Sequence, residues 1–182
     1  MYKVESDFEY KGYRCVTIFT DRGHRCGYVG VTKNSKFYSK SFNDTTDVRM
    51  SELKEESLGK RSVLSLFGAP ESPDGFVKMD LLFDVHGGLT YGEDGKNSYP
   101  IEYNGSEIWW LGFDCAHCDD GKDLELVEEL WGDNERVKLF LKLEREINEK
   151  YPTVKEEVRS LEYVQDECKN LVEQIIKWEK KT

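Results

Sequence analysis

The stretch from Glu107 to Asp120 constrains the fold of this chain more than any other. It begins with an apolar run that holds two adjacent tryptophans, Ile108–Phe113. Such a run is typical of a strand in the interior of a sheet. Six side chains able to bind a metal or transfer a proton follow within seven residues: Asp114, Cys115, His117, Cys118, Asp119 and Asp120. A rigid strand that leads into a polar turn is a common way to build a site, so we expect a site here.

The composition is polar but provides enough bulk for a folded core. Of the 182 residues, 38% are hydrophobic, and they include 9 Phe, 10 Tyr and 4 Trp. The formal net charge is −10 and no basic patch interrupts it, so we expect no direct binding to nucleic acid. No apolar run approaches the roughly 20 residues that a membrane span needs. There is also no basic, apolar leader. These features predict a cytoplasmic protein with reduced thiols and no membrane contact.

Two segments, 2–31 and 78–113, predict an antiparallel or mixed β-sheet. Tyr13–Phe19 and Cys26–Val31 are rich in β-branched and aromatic residues, and the glycine-containing turn between them indicates a hairpin. Lys78–Val85 is predicted as a further strand. We therefore expect a β-rich domain over residues 1–122, with an insertion at about 32–77 that contains a short helix over Val48–Leu58.

The last third of the chain, 123–182, is predicted to be helical, which makes the fold class α+β. Thr153-x-x-Glu156 has the form of a capping box and predicts the start of the last helix. That helix carries an apolar stripe at intervals of three and four residues: Val154, Val158, Leu161, Val164, Cys168, Leu171 or Val172, Ile175 and Trp178. The stripe has two interpretations, which are packing on the protein's own sheet and a homodimer through this helix.

Four residues have spacings found in zinc sites. Cys115-x-x-Cys118 is one half of such a pattern, and His24-x-Cys26 would supply the other half. The alternative is that the cysteines are small buried apolar residues. The Cys115–Cys118 turn also places a thiol near His117, a combination that nucleophilic catalysis uses when the geometry allows.

The two turns that carry His86 and His117 are predicted to face one another across a cleft. Each follows a predicted strand, so we expect the two imidazoles to lie close together with Asp114 nearby. A divalent ion would suit these side chains together with Asp119 and Asp120, as would a polar ligand such as a nucleotide stacked on an aromatic ring. The candidate ligand-binding residues are His86, Gly87, Gly88, Tyr91, Trp109, Asp114 and His117. The alternative is that each histidine hydrogen-bonds to backbone and fixes its own turn.

Four short segments, taken together, resemble a family of small proteins of phages and mobile elements. They are His24–Val29, His86–Tyr91, Trp109–His117 and Tyr163–Cys168. The family pattern continues after the histidine of the third segment with small residues and Asp, so Cys118 departs from it. That departure counts against the zinc site built on the two cysteines of this turn.

The resemblance implies a small accessory protein of a phage, and such proteins often inhibit host defence. It implies most specifically an anti-CRISPR protein that binds an RNA-guided nuclease, or another host defence protein, in the host cytoplasm. These nucleases hold nucleic acid in positively charged channels, for which an acidic protein is able to compete. The function expected from the sequence is therefore binding rather than catalysis. The alternative is a small metal-dependent hydrolase, or a sponge for a signalling nucleotide, that uses His86, Asp114 and His117.

Overall fold

A computed structural model describes residues 1–53, 75–96, 100, 107–151 and 156–181. The strands are β1 Tyr2–Tyr10, β2 Tyr13–Thr20, β3 Arg25–Val31, β4 Thr45–Arg49, β5 Phe76–Lys78, β6 Tyr91–Glu93 and β7 Trp109–Asp114. The α-helices are α1 Met79–Leu82, α2 Leu124–Trp131, α3 Glu135–Lys150 and α4 Leu161–Glu179, and a 3-10 turn spans Met50–Glu52. No helix in these described ranges is both long enough and apolar enough to cross a membrane.

Five strands form one antiparallel sheet in the order β1-β2-β3-β7-β6. The predicted α+β class and the predicted hairpin of β2 and β3 are confirmed. The tryptophan-containing run is an inner strand, β7, which pairs with β3 from Val31 opposite Trp109 to Cys26 opposite Asp114. Gly27 of β3 is required by close packing, because a Cβ there would lie 2.5 Å from Phe113 and 2.7 Å from the sulfur of Cys168.

Helix α4 covers one face of this sheet, packing across β2 and β3. Six residues of its predicted stripe are buried: Val164, Cys168, Leu171, Val172, Ile175 and Trp178. Packing on the protein's own sheet therefore accounts for the stripe, and these side chains are not exposed to a second copy. The helix begins at Leu161, where the Ser160 side chain accepts a hydrogen bond from the backbone of Tyr163. The predicted earlier start was wrong, since Val158 is exposed and precedes the helix, while Thr153 lies outside the described residues.

Two elements predicted from local pattern are different in the structure. The predicted strand Lys78–Val85 consists of the end of β5 followed by the helical turn α1. Met79, Leu81 and Leu82 are all buried, and a short, continuously apolar run does not distinguish a strand from a buried helical turn. The helix predicted over Val48–Leu58 was wrong at its start, because Val48 lies in β4, which pairs with β5. A 3-10 turn follows at Met50–Glu52, and residues 54–58 of the predicted helix lie outside the described residues.

Helices α2 and α3 pack together over a second, smaller cluster. Val127 of α2 and Val137 and Leu141 of α3 are buried around Phe19 of β2. The ring of Trp131 stacks on that of Phe19, with centroids 5.9 Å apart and planes at 6°. This cluster fixes α3 against the sheet through one side of the helix only.

A candidate metal centre

The turns that carry His86 and His117 meet at one end of the sheet. β7 ends just before the turn that holds His117 and Asp120. β6 is the antiparallel neighbour of β7 and begins opposite Gly112, near the end of β7. His86 lies in the segment that leads into β6, and this segment therefore reaches the same end of the sheet. The predicted proximity is confirmed, because the two imidazole centroids are 5.3 Å apart.

The carboxylate of Asp120 lies at the centre of this arrangement. Its Oδ2 atom is 2.8 Å from Nε2 of His86 and accepts a hydrogen bond of 2.9 Å from the backbone N–H of His117. Its Oδ1 atom accepts a hydrogen bond of 2.8 Å from Nε of Arg159. The side chain of Asp120 is almost completely buried, with 1% of its surface exposed.

Arg159 reaches Asp120 because the segment before α4 runs beside the turn. Asp120 and Glu157 form a parallel β-bridge, and the N–H of Gly121 donates to the carbonyl of Glu157 at 2.9 Å. The backbone carbonyl of Arg159 accepts a hydrogen bond of 2.9 Å from the side chain of Arg25 in β3. The backbone at Arg159 is thus held from the sheet side, and its guanidinium reaches Oδ1 of Asp120.

The first turns of α4 orient His86. The hydroxyl of Tyr163 lies 2.9 Å from Nδ1 of His86. The carboxylate of Glu167 accepts a hydrogen bond of 3.0 Å from the backbone N–H of His86. Glu167 is buried. These contacts hold the imidazole so that Nε2 faces Asp120.

Gly87 makes room for the imidazole of His117. Its φ angle is +66°, a conformation that residues with a Cβ rarely adopt. A Cβ at this position would overlap the imidazole of His117, at 2.6 Å from Nδ1 and closer still to Cε1 and Nε2. The paired glycines predicted to allow a close approach do so here, and the group that approaches is His117.

The Nδ1 atom of His117 is buried and has no hydrogen-bond partner among the described residues. It lies 3.4 Å from Oδ2 of Asp120, the oxygen that His86 also contacts. One ligand atom from each of His86, His117 and Asp120 lies within 4.8 Å of the others, and the described ranges contain no other such group of His, Cys, Asp or Glu. The structure therefore assembles two imidazoles and one carboxylate around a common point.

The environment of Asp120 favours its anionic form. Burial alone would raise the pKa of this carboxyl, but the hydrogen bonds from Arg159, from His86 and from the backbone of His117 outweigh burial and lower the pKa below its usual value. An anionic carboxylate is the form that binds a cation.

A cleft of about 360 Å³ opens beside His117 and Asp120, and His86 does not line it. The turn after β7, which includes Cys118, lines this cleft together with Ile147 of α3 and Tyr151, which follows α3. The side chain of His117 is 30% exposed, so this imidazole is accessible from the cleft. Lys122 also lines the cleft, where it forms an ion pair of 2.6 Å with Glu144.

The remaining predicted ligand-binding residues do not belong to the group of His86, His117 and Asp120. Asp114 accepts hydrogen bonds from the Thr90 hydroxyl and its own turn, rather than facing the histidines. The ring of Tyr91 packs edge-on against that of Tyr28 at 5.3 Å. The indole N–H of Trp109 donates to the carbonyl of Lys40 at 2.8 Å. Gly88 takes a positive φ of 87° beside Gly87.

The four residues with zinc-like spacing do not form a ligand group. Cys26 and Cys115 are buried, whereas Cys118 is exposed. Burial raises the pKa of the Cys26 thiol to about 12 and also raises that of Cys115. The thiolate is the form that binds metal, so this environment disfavours both as ligands. His24 lines the cleft but does not belong to the group of three.

Sequence reasoning missed the residues that support the two histidines. Arg159, Tyr163 and Glu167 are distant in sequence, and Glu167 lies 81 positions from His86. Tyr163 and Glu167 do belong to one of the segments that carry the resemblance to phage proteins, which was a usable signal. The sequence predicts Asp120 among several carboxylates for a divalent ion, but the carboxylate expected nearest the two histidines is Asp114 and the one found there is Asp120.

Comparison with known proteins does not assign the chain to a family or a function. No protein-family model matches the chain, and neither a curated protein nor a solved structure matches it significantly. The resemblance to phage proteins therefore stays a prediction, and the function has to be argued from the site.

Proposed function

We propose that this protein binds a divalent transition metal through Nε2 of His86, Nδ1 of His117 and Oδ2 of Asp120, and that the centre is hydrolytic. The observation that carries the proposal is the position of His117. Its Nδ1 atom is buried, lacks a hydrogen-bond partner in the described part of the chain, and lies beside the oxygen that His86 contacts. A buried polar atom without a partner is costly and requires an explanation. A metal ion bound to it provides one.

The donors and their supports fit such an ion. Two imidazole nitrogens and one carboxylate oxygen suit Zn²⁺, and two histidines with one carboxylate also suit Fe²⁺. A ligating histidine usually has its other ring nitrogen held by a hydrogen-bonding group. Tyr163 does this for His86. Arg159 holds the oxygen of Asp120 that faces away from the two imidazoles.

The number of ligands and the adjoining cleft support hydrolysis rather than a purely structural role. Structural zinc sites generally have four protein ligands, whereas catalytic sites have three and leave one position open. The group found among the described residues has three. A metal in such a site activates water near neutral pH and polarises the bond to be cleaved. The residues of this chain orient the ligands, and the cleft beside His117 admits a substrate.

Replacing His117 with alanine is expected to abolish tight metal binding. Protein stripped with a chelator is titrated with Zn²⁺ against a chromophoric competitor, and the wild type should bind one ion. His117→Ala should lose at least about 10–100-fold in affinity, since removing even a supporting residue typically costs that much. His24→Ala is the matched control, because this third histidine lines the same cleft but lies outside the group. Equal zinc affinity of wild type and His117→Ala would refute the proposal.

We also propose, as a second candidate, the inhibitor role that the resemblance implies. The supporting observation is the net charge of −10, which favours contact with the positively charged channel of an RNA-guided nuclease. The partner would be a host nuclease and the location the host cytoplasm. This role depends on surface contact and does not require the metal centre.

The His117→Ala variant separates the two candidates. If the protein is an inhibitor by surface contact, folded His117→Ala should inhibit DNA cleavage by the nuclease as well as the wild type does. Inhibition should also weaken as salt rises from about 50 to 500 mM, because the Debye length shortens roughly threefold over a decade of ionic strength. Inhibition that is lost with the histidine, or that is independent of salt, would contradict the surface-contact mechanism.

A further inference from the structure

His24 is the third histidine of the chain and the one that the proposed metal centre does not use. It lies at the tip of the hairpin formed by β2 and β3. Its side chain lines the same cleft as His117 and Asp120. A titratable side chain in the wall of a cleft beside a hydrolytic centre is a candidate for proton transfer.

The backbone holds the hairpin tip against the turn that carries His117 and Asp120. The carbonyls on either side of His24, those of Gly23 and Arg25, each accept a hydrogen bond of 2.9 Å from that turn. The donors are the N–H groups at its far and near ends, in the segment 115–123. The hairpin tip and the ligand-bearing turn are therefore fixed to one another on both sides of His24.

Gly23 allows this close approach. Its φ angle is +86°, and a Cβ at this position would lie 3.1 Å from Cβ of Lys122 and 3.3 Å from the backbone nitrogen of Asp123. A larger residue would push the hairpin tip away from the turn. The position of His24 beside the cleft is thus built into the packing of two backbone segments.

The imidazole of His24 has no structural task in the described part of the chain. No hydrogen bond or ion pair joins its ring to another residue there. The hairpin turn is fixed instead by the backbone carbonyl of His24, which accepts hydrogen bonds of 3.0 Å from the N–H and from the hydroxyl of Thr20. The ring of His86, by contrast, is engaged at both nitrogens, by Tyr163 and Asp120. The ring of His24 is free to exchange a proton with a molecule in the cleft.

The surroundings of His24 keep its imidazole neutral at neutral pH. Burial lowers the pKa of this histidine. Asp114, Asp120 and Asp21 act in the opposite direction and Lys122 in the same direction, and burial outweighs the three carboxylates. A neutral imidazole is the form that accepts a proton.

The other titratable side chains of the cleft are less suited to this task. Lys122 and Glu144 are paired with one another at 2.6 Å. Burial raises the pKa of the Cys115 thiol, so this thiol stays protonated. The remaining side chains of this kind in the described cleft wall are exposed: Cys118, Tyr151 and Glu156. His24 alone in this wall is partly buried, unpaired and neutral.

We infer that His24 is the catalytic residue that transfers the proton during hydrolysis, an inference that rests on the proposed function. One ring nitrogen of His24 accepts a proton from water as the water oxygen bonds to the acyl carbon or phosphorus of the substrate. The same nitrogen then donates that proton to the leaving oxygen or nitrogen as the bond to it breaks. Water is thereby added across the cleaved bond and His24 returns to its neutral form. The bound ion polarises the bond to be cleaved.

Proton NMR of the imidazoles tests the position of His24 without any substrate. The chain has three histidines, so two imidazoles should stop titrating when zinc binds and one should continue. His24→Ala should remove the one that continues and should keep the zinc affinity of the wild type. Zinc should also lower the pKa of the His24 imidazole further, since a nearby cation disfavours the imidazolium form.

Turnover by the zinc-loaded protein tests the proton transfer. The probes are para-nitrophenyl acetate and bis(para-nitrophenyl) phosphate, which represent acyl and phosphoryl substrates. His24→Ala should lower kcat for the probe that the wild type hydrolyses by at least about 100-fold, the lower end of the range for general acid–base catalysis. Free imidazole in the buffer should restore part of the lost rate, which it would not do if His24 only supported the fold. Arg22→Ala is the matched control, because Arg22 is an exposed residue of the same hairpin tip and does not line the cleft.

Failure of the inference and failure of the proposed function have different signatures. If all three imidazoles keep titrating with zinc present, or if the zinc-loaded wild type hydrolyses neither probe, the hydrolytic metal centre is refuted and the role of His24 with it. Turnover that His24→Ala leaves unchanged, or a His24 pKa that zinc does not alter, would overturn the inference alone. A lost rate that imidazole does not restore would assign His24 a structural role instead.

Discussion

Replacing Asp120 with alanine should destabilise the protein by about 3 kcal/mol, the lower end of the range for breaking a buried ion pair. The carboxylate accepts hydrogen bonds from Arg159 and from the backbone of His117, and contacts the imidazole of His86. Alanine would remove the acceptor of all three contacts and leave the guanidinium of Arg159 with only the exposed Glu157 as a counter-charge. Urea melts of the metal-free protein measure the change in the free energy of unfolding.

The neighbouring aspartate provides the control for this prediction. Asp119 is exposed, so Asp119→Ala should change the free energy of unfolding by no more than about 0.5 kcal/mol. The same two variants also report on the site, because Asp120→Ala should lose zinc binding while Asp119→Ala retains it. A destabilisation below about 1 kcal/mol for Asp120→Ala would show that the carboxylate is not the structural centre of the two turns.

Replacing Gly87 with alanine should disable the proposed metal centre without removing any of its three proposed ligands. The new Cβ would overlap the imidazole of His117, and the backbone φ of +66° is unfavourable for alanine. We expect the imidazole to be displaced and zinc affinity to fall about 10–100-fold, as when a supporting residue is lost. The free energy of unfolding should fall by more than the roughly 1 kcal/mol that alanine costs in a left-handed conformation.

Gly12→Ala isolates the backbone contribution to this effect. Gly12 has a φ of +85° in the turn between β1 and β2, and a Cβ there would have no neighbour within 4 Å. It should therefore show the cost of the backbone conformation but retain wild-type zinc affinity. If Gly87→Ala also retained wild-type affinity, His117 would not be required at the position that the structure gives it.

Much of the sheet and the meeting of the two histidines could be predicted from the sequence. The apolar run before Asp114 predicts an inner strand. The polar turns predict the end of the sheet at which the candidate site lies. The prediction of a strand over Lys78–Val85 was wrong because every apolar residue in this region is buried. A run of buried apolar residues has the same pattern in a strand as in a helix. Periodicity requires a polar face for contrast, and this run has too few polar positions.

The ligands were harder to predict than the turns. Asp114 directly follows the strand and was expected beside the histidines, but its side chain bonds to Thr90 and to its own turn. Asp120 reaches the centre because the turn folds back, with its N–H donating to the carbonyl of His117 at 3.0 Å. Turn geometry of this kind depends on contacts distant in sequence, such as the bridge to Glu157.

X-ray absorption spectroscopy of the zinc-loaded protein tests the central claim most directly. The spectrum distinguishes nitrogen and oxygen ligands, at about 2.0–2.2 Å, from sulfur at about 2.3 Å. We predict a shell of nitrogen and oxygen atoms only, including two imidazoles, because His86, His117 and Asp120 are the one group of His, Cys, Asp or Glu in the described part of the chain that is close enough to share a metal ion. A sulfur shell would contradict the account, because none of the three proposed ligands carries sulfur.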